Sequence, residues 1–148
     1  EWRSQKGDNA IAWLSLQPSH NQPQLFWANL CASFNAACIL TNPIQELCLR
    51  AGDALDFEEV FLELTNALAA CPCHSTLILD GYQEIKNDSI HQAVRLLIDS
   101  LPAGAQILIA ARTQPPLQQA RLRVRRQLLE LGPADLGEGV KEGNFRGF

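Results

Sequence analysis

The 148-residue chain contains no methionine, only one tyrosine and few charged residues, which make up 19% of it. Apolar residues reach 47%, enough to form a core. The apolar runs are much shorter than the roughly 20 residues of a membrane-spanning helix, and the first residues lack the layout of a signal peptide. These absences favour a cytoplasmic domain without membrane association. A chain that starts with Glu1 and has no methionine is also expected to be an internal piece of a longer protein.

The net charge of −4 excludes a general electrostatic attraction for nucleic acid. The arginine-rich segment 121–126 could contact phosphates, but on an acidic chain we interpret it as a solvated or domain-facing surface. The five cysteines are odd in number and irregularly spaced, which favours reduced thiols. Cys71-Pro-Cys73-His74 lacks the second ligand pair of a structural zinc site, so we interpret it as a loop that enters a strand.

Short apolar runs alternate with amphipathic segments and turn formers along the chain. Helices are expected to begin at Pro23, Asp56, Asn87 and Pro115, with a short additional helix at 44–49. This alternation predicts an α/β fold, a parallel sheet with helical crossovers. Because the strands are apolar throughout, both faces of the sheet are expected to be covered. The predicted strands are 10–16, 76–80, 106–111 and 128–131. We assign residues 1–136 to the domain and expect the glycine-rich tail 137–148 to be disordered.

Two of these strands end in a charged residue at the edge where open α/β sheets bind ligands. Ser75-Thr-Leu-Ile-Leu-Asp80 is followed by Gly81 and Glu84, and Gln106-Ile-Leu-Ile-Ala-Ala-Arg112 ends in an arginine. Asp80 could hold Mg²⁺ directly or through water, as a Walker B carboxylate does. Arg112 could contact the terminal phosphate of a triphosphate, and Gly81 could let the backbone approach the ligand. Glu84 could orient or polarise the attacking water, which makes it the candidate catalytic residue.

Each of these residues also has a structural interpretation that the sequence leaves open. Asp80 is a suitable turn cap and Gly81 a suitable turn residue, whereas Glu84 and Arg112 could be solvated loop residues. Tyr82 and Gln83 could also point into the cleft, but nothing in the sequence indicates that they do. The sequence therefore predicts a candidate nucleotide site at this edge of the sheet without excluding an ordinary strand end.

The glycine-rich phosphate loop of nucleotide-binding proteins, G-x-x-x-x-G-K-[ST], occurs nowhere in the chain. Its backbone N–H groups and lysine make many of the hydrogen bonds that hold the nucleotide phosphates. We therefore expect these 148 residues alone to bind no ATP firmly and to be inactive as an ATPase.

Several short motifs follow one another in a fixed order between residues 10 and 136. They are Ala12-Trp-Leu-Ser-Leu16, Asn21, Phe26-Trp27, Leu77-Ile-Leu-Asp-Gly-Tyr82, Ile90-His91, Ile107-Leu-Ile-Ala-Ala-Arg112, Pro115-Pro-Leu117, Ala120-Arg-Leu-Arg-Val-Arg125, Gln127-Leu-Leu-Glu-Leu131 and Asp135-Leu136. In order and spacing they resemble the large LuxR-type ATP-dependent transcriptional activators. That family belongs to the STAND class of P-loop NTPases.

The resemblance implies a P-loop NTPase sheet of order 5-1-4-3-2 that binds ATP or ADP with Mg²⁺. Asp80 would be the Walker B aspartate and Arg112 the sensor arginine beside the terminal phosphate. ADP would hold a resting monomer, and ATP with a small-molecule inducer would permit self-association. DNA would be bound by a carboxyl-terminal helix-turn-helix that, like the inducer-binding region, is absent from this chain.

The chain departs from the family pattern in three respects. The phosphate loop and first strand are missing, Gly81 replaces the family's second aspartate, and the sequence after Leu136 diverges. Glu84 could provide the second carboxylate that the family has at the position of Gly81. The chain is accordingly interpreted as an incomplete NTPase domain.

Of two other functions, one is compatible with the residues. The chain could be a degenerate α/β module that acts by contact, as an interaction or scaffold protein. A phospho-acceptor receiver domain is disfavoured, because it needs an acidic pair after its first strand and a lysine after its last. Leu16-Gln17-Pro18 and Gly132-Pro133 offer neither.

Overall fold

A computed structural model describes residues 9–37 and 57–117, with no account of the Phe57 and Glu58 side chains. In chain order, the elements are β1 (Asn9–Ser15), a 3-10 helix (Pro18–Asn21), α1 (Pro23–Ala36), α2 (Phe57–Ala70), β2 (His74–Asp80), a second 3-10 helix (Tyr82–Glu84), α3 (Asp88–Asp99) and β3 (Ala105–Ala110). These residues belong to one compact unit, Glu1–Leu117; the second, Gln118–Phe148, lies outside them. The three predicted strands within the described ranges are confirmed with slightly shifted ends.

Other predictions fall outside the described residues. These are the short helix at 44–49, the arginine-rich segment at 121–126, the strand at 128–131, the domain end at 136 and the tail 137–148. The helix expected to begin at Pro115 is not helical at residues 115–117, the last described positions.

The three strands form a parallel sheet in the order β1-β2-β3. Their carboxyl ends are aligned, since Asp80 pairs in register with Ser15 of β1 and with Ala110 of β3. The predicted α/β class with helical crossovers is thus confirmed. In the family's numbering, β1, β2 and β3 correspond to the second, third and fourth strands. Their order therefore agrees with the 4-3-2 part of the 5-1-4-3-2 sheet that the family resemblance implies.

Apolar residues at helical spacing anchor each helix to the core. In α1, which begins at Pro23, the buried residues include Phe26, Leu30 and Phe34. In α3, the Asn87 side-chain oxygen accepts a hydrogen bond from the Ser89 N–H at 2.9 Å and so caps the amino terminus. The remaining buried helix residues of this core are Trp27, Cys31, Val60, Leu64, Leu68, Ile90, Val94 and Leu97.

The helices cover one face of the sheet. Leu14 of β1 and Leu77 and Leu79 of β2 belong to the same buried cluster as the helix residues. Strand residues that alternate with these point to the opposite face, as the two-residue period of a strand requires. Parallel crossovers are right-handed in almost all sheets, and two that advance across a sheet in one direction place their helices on the same side.

The opposite sheet face is apolar and exposed in the described part of the chain. Trp13 is 57% exposed, Leu108 49% and Ile11 43%. Trp13, Ile78 and Leu108 occupy one row across the three strands. The prediction that both faces are covered is therefore not met within these residues, because the apolar strand pattern does not specify which chain segment covers each face.

Cys71 and Cys73, in the described part of the chain, are free thiols. The Sγ atoms of Cys71 and Cys73 lie 2.9 Å apart just before β2. This contact raises the pKa of the Cys73 thiol, and burial adds to the effect. Within residues 9–37 and 57–117, no group of three or more His, Cys, Asp or Glu side chains could hold a metal ion. No helix in those ranges is long and apolar enough to cross a membrane.

Candidate functional site

Asp80 is the last residue of the central strand and lies half-buried at the carboxyl edge of the sheet. Its backbone oxygen accepts a hydrogen bond from the Leu16 N–H at 2.7 Å. Strand alternation places its side chain on the same face as Thr76 and Ile78, opposite the helix-covered face. The carboxylate therefore stands on a fixed backbone at the position that open α/β sheets use for ligands.

Gly81 reverses the chain immediately after this carboxylate. Its φ is 77°, in the left-handed region, and a Cβ at this position would lie 3.2 Å from the Leu16 carbonyl oxygen. Its N–H donates to the Ala110 carbonyl oxygen at 3.1 Å. The structure thus supports the turn-residue interpretation of Gly81 directly: the glycine lets the chain leave β2 while remaining bonded to β3.

The turn after Gly81 places the side chains of Tyr82, Gln83 and Glu84 in different environments. Tyr82 is buried, with 1% of its surface exposed, and belongs to the core; the hypothesis that it points into the cleft is therefore wrong. Gln83 and Glu84 are half-buried, and the Gln83 amide nitrogen lies 3.4 Å from Glu84 Oε1. Glu84 remains at the carboxyl edge, where a catalytic carboxylate would be needed.

Arg112 lies two residues beyond β3, and its side chain is exposed. Its backbone N–H donates to Gln83 Oε1 at 3.1 Å, which connects the exit of β3 to the turn after β2. The structure therefore places Asp80, Gly81, Glu84 and Arg112 on adjacent chain reversals at one sheet edge. An exposed guanidinium at this position is available to an anionic ligand.

Two residues that organise this edge were not among the predicted site residues. Gln83 bridges the two strand exits, as described above. The side chain of Asn21, at the end of the first 3-10 helix, hydrogen-bonds to backbone groups of Glu84, Lys86 and Asn87. Sequence reasoning had only the position of Asn21 in a motif as a signal, since its partners are more than 60 residues away.

Behind the site, Tyr82 and His91 form a buried polar pair. The Tyr82 hydroxyl lies 3.0 Å from His91 Nδ1, and only 4% of His91 is exposed. Burial raises the pKa of Tyr82 well above its usual range. Burial also lowers the pKa of His91, an effect that Asp88 opposes and Arg95 reinforces. Arg95 in α3 donates to the Pro116 carbonyl oxygen, so α3 also holds the loop after β3.

The lowered pKa of His91 predicts that acid destabilises the chain. The unfolded histidine accepts a proton near its ordinary pKa of 6.5, whereas the folded one resists protonation to lower pH. The stabilising contribution is therefore present above pH 6.5 and is lost as the pH falls towards the lower folded pKa. We expect the free energy of unfolding to fall between about pH 7.5 and about pH 5, with His91 contributing at most about 1.4 kcal/mol per pH unit.

Urea unfolding at a series of pH values measures this dependence. His91→Gln removes the titrating group but keeps a hydrogen-bonding side chain, so the decline should become shallower. His74→Gln is the matched control, because His74 is exposed. An unchanged pH slope in His91→Gln would contradict the assignment.

Curated proteins similar in sequence to this chain are transcriptional regulators. No family model matches the chain. It is 34% identical over 142 residues to the HTH-type transcriptional regulator MalT of Serratia proteamaculans, and 35% identical over 146 residues to MalT of Yersinia enterocolitica. MalT of Yersinia pestis is 34% identical over 140 residues. The chain is MalT-like in sequence.

The similarity to MalT extends over almost all of the chain. The three alignments cover 92%, 96% and 92% of it, respectively. They cover only 15%, 16% and 15% of the MalT proteins, so the chain spans about a sixth of the length of these relatives. The family resemblance inferred from the motifs is confirmed, and most of each MalT sequence lies outside the aligned part.

The donor set at the sheet edge can be compared with the requirements of Mg²⁺. Magnesium is commonly held by one or two carboxylates together with waters and substrate phosphates. Asp80, half-buried at the strand end, fits the role of such a carboxylate, with Glu84 in the following turn. The residues present therefore fit Mg²⁺ that arrives with a nucleotide better than a metal site made entirely of protein ligands.

Proposed function

We propose that this chain supplies the Walker B carboxylate and the sensor arginine of a nucleotide-operated switch in a MalT-like, ATP-dependent transcriptional regulator. The main support is the position of Asp80 and Arg112 at the carboxyl ends of adjacent parallel strands. The hydrogen bond from the Arg112 N–H to Gln83 supports a common site, because it links the two chain reversals.

Each candidate residue has a distinct role in this proposal. Asp80 holds Mg²⁺, directly or through water, and the ion when bound neutralises charge on the phosphates. Arg112 contacts the terminal phosphate and so distinguishes ATP from ADP. Glu84 holds the attacking water in position, and Gly81 keeps the intervening turn close to the ligand. Hydrolysis then resets the switch.

The remaining functions belong to the longer protein. We propose that ADP holds a resting monomer, and that ATP with a small-molecule inducer permits self-association by altering domain packing. DNA binding would involve a helix-turn-helix outside these residues. The longer protein would act in the cytoplasm. The relatives' designation as HTH-type transcriptional regulators supports this assignment.

Nucleotide calorimetry on a protein extended through the sequence encoded before Glu1 tests the proposal. Asp80→Asn keeps the side-chain shape but removes the charge, so we expect the Mg²⁺-dependent gain in ATP affinity to fall by about tenfold or more. This corresponds to a loss of about 1.4 kcal/mol. Arg112→Ala should weaken ATP binding by a similar factor while changing ADP binding little, since only ATP carries the terminal phosphate.

Glu63→Gln provides a control for charge removal, because Glu63 is exposed on α2. Arg112→Lys tests whether the fork-shaped guanidinium, rather than positive charge alone, is required. Equal losses of ATP and ADP binding in Arg112→Ala would contradict the sensor role. An extended protein that binds neither nucleotide would overturn the proposed function.

The exposed sheet face supports the alternative of a contact module. Ile11, Trp13 and Leu108 form an apolar surface in the described part of the chain, and such surfaces often mark interaction sites. A contact module predicts that Asp80→Asn and Arg112→Ala leave the activity of the longer protein unchanged, whereas Trp13→Ser reduces it.

A further inference from the structure

Asn21 uses its whole hydrogen-bonding capacity to join two loops at the site edge. Its amide nitrogen donates to the carbonyl oxygens of Pro18 at 2.9 Å and Glu84 at 2.8 Å. Its amide oxygen accepts from the backbone N–H of Lys86 at 2.6 Å and of Asn87 at 3.0 Å. Two donor protons and two acceptor lone pairs are all that a side-chain amide has.

Asn87 completes the connection from the other side. Its amide nitrogen donates to the Asn21 backbone oxygen at 2.9 Å, while its amide oxygen caps α3 through the Ser89 N–H. The loop after β1 is thereby bonded to the amino terminus of the helix after β2. We refer to these hydrogen bonds between Asn21 and residues 84–87 as the Asn21 clamp.

The clamp fixes one end of the turn that carries the candidate catalytic carboxylate. The other end is fixed by Asp80, the last residue of β2, and by the bond from the Gly81 N–H to Ala110. Gln83, in the middle, accepts from the Arg112 N–H. The turn is thus bonded to the exit of β3 and, through Asn21, to the 3-10 helix that follows β1.

We propose that Asn21 is a positioning residue that holds Glu84 at a set place relative to Asp80. The inference rests on the proposed function, in which Glu84 orients the attacking water. Asn21 binds the Glu84 carbonyl oxygen and the backbone N–H groups of Lys86 and Asn87, so it acts on the backbone beside the carboxylate. A displacement of about 1 Å in a catalytic group can cost about 100-fold in rate.

The pattern of donors and acceptors requires an amide at position 21. Aspartate has almost the same shape and can still accept from Lys86 and Asn87, but it has no N–H groups for Pro18 and Glu84. A carboxylate would also place negative charge against those two carbonyl oxygens. Asn21→Asp should therefore displace residue 84, and Asn21→Ala should remove all four side-chain hydrogen bonds of residue 21.

The test is steady-state ATP hydrolysis and nucleotide binding in the extended protein. Asn21→Asp should lower kcat by about 10- to 100-fold and change the Kd of ATP by less than about threefold, because Asn21 does not itself touch the nucleotide. In a Glu84→Gln background, the same substitution should have almost no further effect on kcat, since both changes act through one carboxylate. A purely structural role would instead give additive losses.

Asn29→Asp is the matched control, because the Asn29 amide nitrogen donates to the Leu25 carbonyl oxygen within the same helix, α1. Amide hydrogen exchange provides a readout without activity: the N–H groups of Lys86 and Asn87 should be protected in the unsubstituted protein and lose that protection in Asn21→Ala. Unprotected amides in the unsubstituted protein would overturn the clamp itself.

The outcomes separate this inference from the function on which it rests. An extended protein that binds no nucleotide would overturn the proposed function and the positioning role with it. ATP binding without measurable hydrolysis would overturn the positioning role together with the catalytic role of Glu84, but not the nucleotide site. Hydrolysis that Asn21→Asp leaves unchanged, or losses that add to those of Glu84→Gln, would overturn the positioning role alone.

Discussion

Residues 1–148 alone are expected to show no ATP binding by calorimetry at micromolar concentrations, with or without Mg²⁺. Asp80 and Arg112 address the metal and the terminal phosphate, but the chain contains no G-x-x-x-x-G-K-[ST] segment. Without it, the charge-assisted bonds from a phosphate loop are missing, at about 1.5–3 kcal/mol each. Loss of two such bonds weakens binding by roughly 100-fold or more.

The comparison is with the protein extended through the sequence encoded before Glu1, titrated under the same conditions. Circular dichroism and thermal unfolding of the shorter chain should first establish that it is folded. The absence of binding heat then reflects the missing phosphate loop and not an unfolded chain. Micromolar ATP affinity in a folded 148-residue chain would refute the prediction and would require a phosphate-binding surface of another kind.

Adjacent residues of β1 are expected to differ sharply in their contribution to stability. Leu14 is 7% exposed and packs in the core, whereas Trp13 is 57% exposed on the opposite face. Leu14→Ala should lower the free energy of unfolding by about 2–5 kcal/mol, from lost burial and the cavity left behind. Trp13→Thr should change it by about 0.5 kcal/mol or less, because an exposed position has little packing to lose.

Urea unfolding of the 148-residue chain measures both values. Thr is chosen at position 13 because it retains the β propensity of the strand, and Leu79→Ala in β2 serves as a second buried reference, since Leu79 is fully buried. A loss at Trp13 as large as that at Leu14 would show that the exposed sheet face is covered in the folded chain.

The sequence predicted the candidate site to the extent that the site follows from strand ends. An apolar run that stops at Asp80 and another followed by Arg112 suffice, because parallel strands bring their carboxyl ends to one edge. The Asn21 clamp could not be predicted in this way. Its hydrogen bonds join residues 63 to 66 positions apart, and nothing in local propensity or spacing identifies such partners.

Tyr82 shows the same limit at a single position. It stands between Gly81 and Gln83 in a turn, where local sequence is compatible with either direction of the side chain. The left-handed Gly81 and the bond to His91 turn it into the core, so a residue beside the candidate site contributes to packing.

The sequence by itself determined β1 to β3 and α1 to α3, the parallel α/β class and the MalT-like relationship. These depend on local periodicity, turn residues and motif order, which are properties of neighbouring positions. Only the tertiary structure decided that the helices cover one sheet face and that Tyr82 is buried. It also decided that Asn21 and Gln83 hold the turn carrying Glu84, because these features depend on which distant backbone groups are brought within hydrogen-bonding distance.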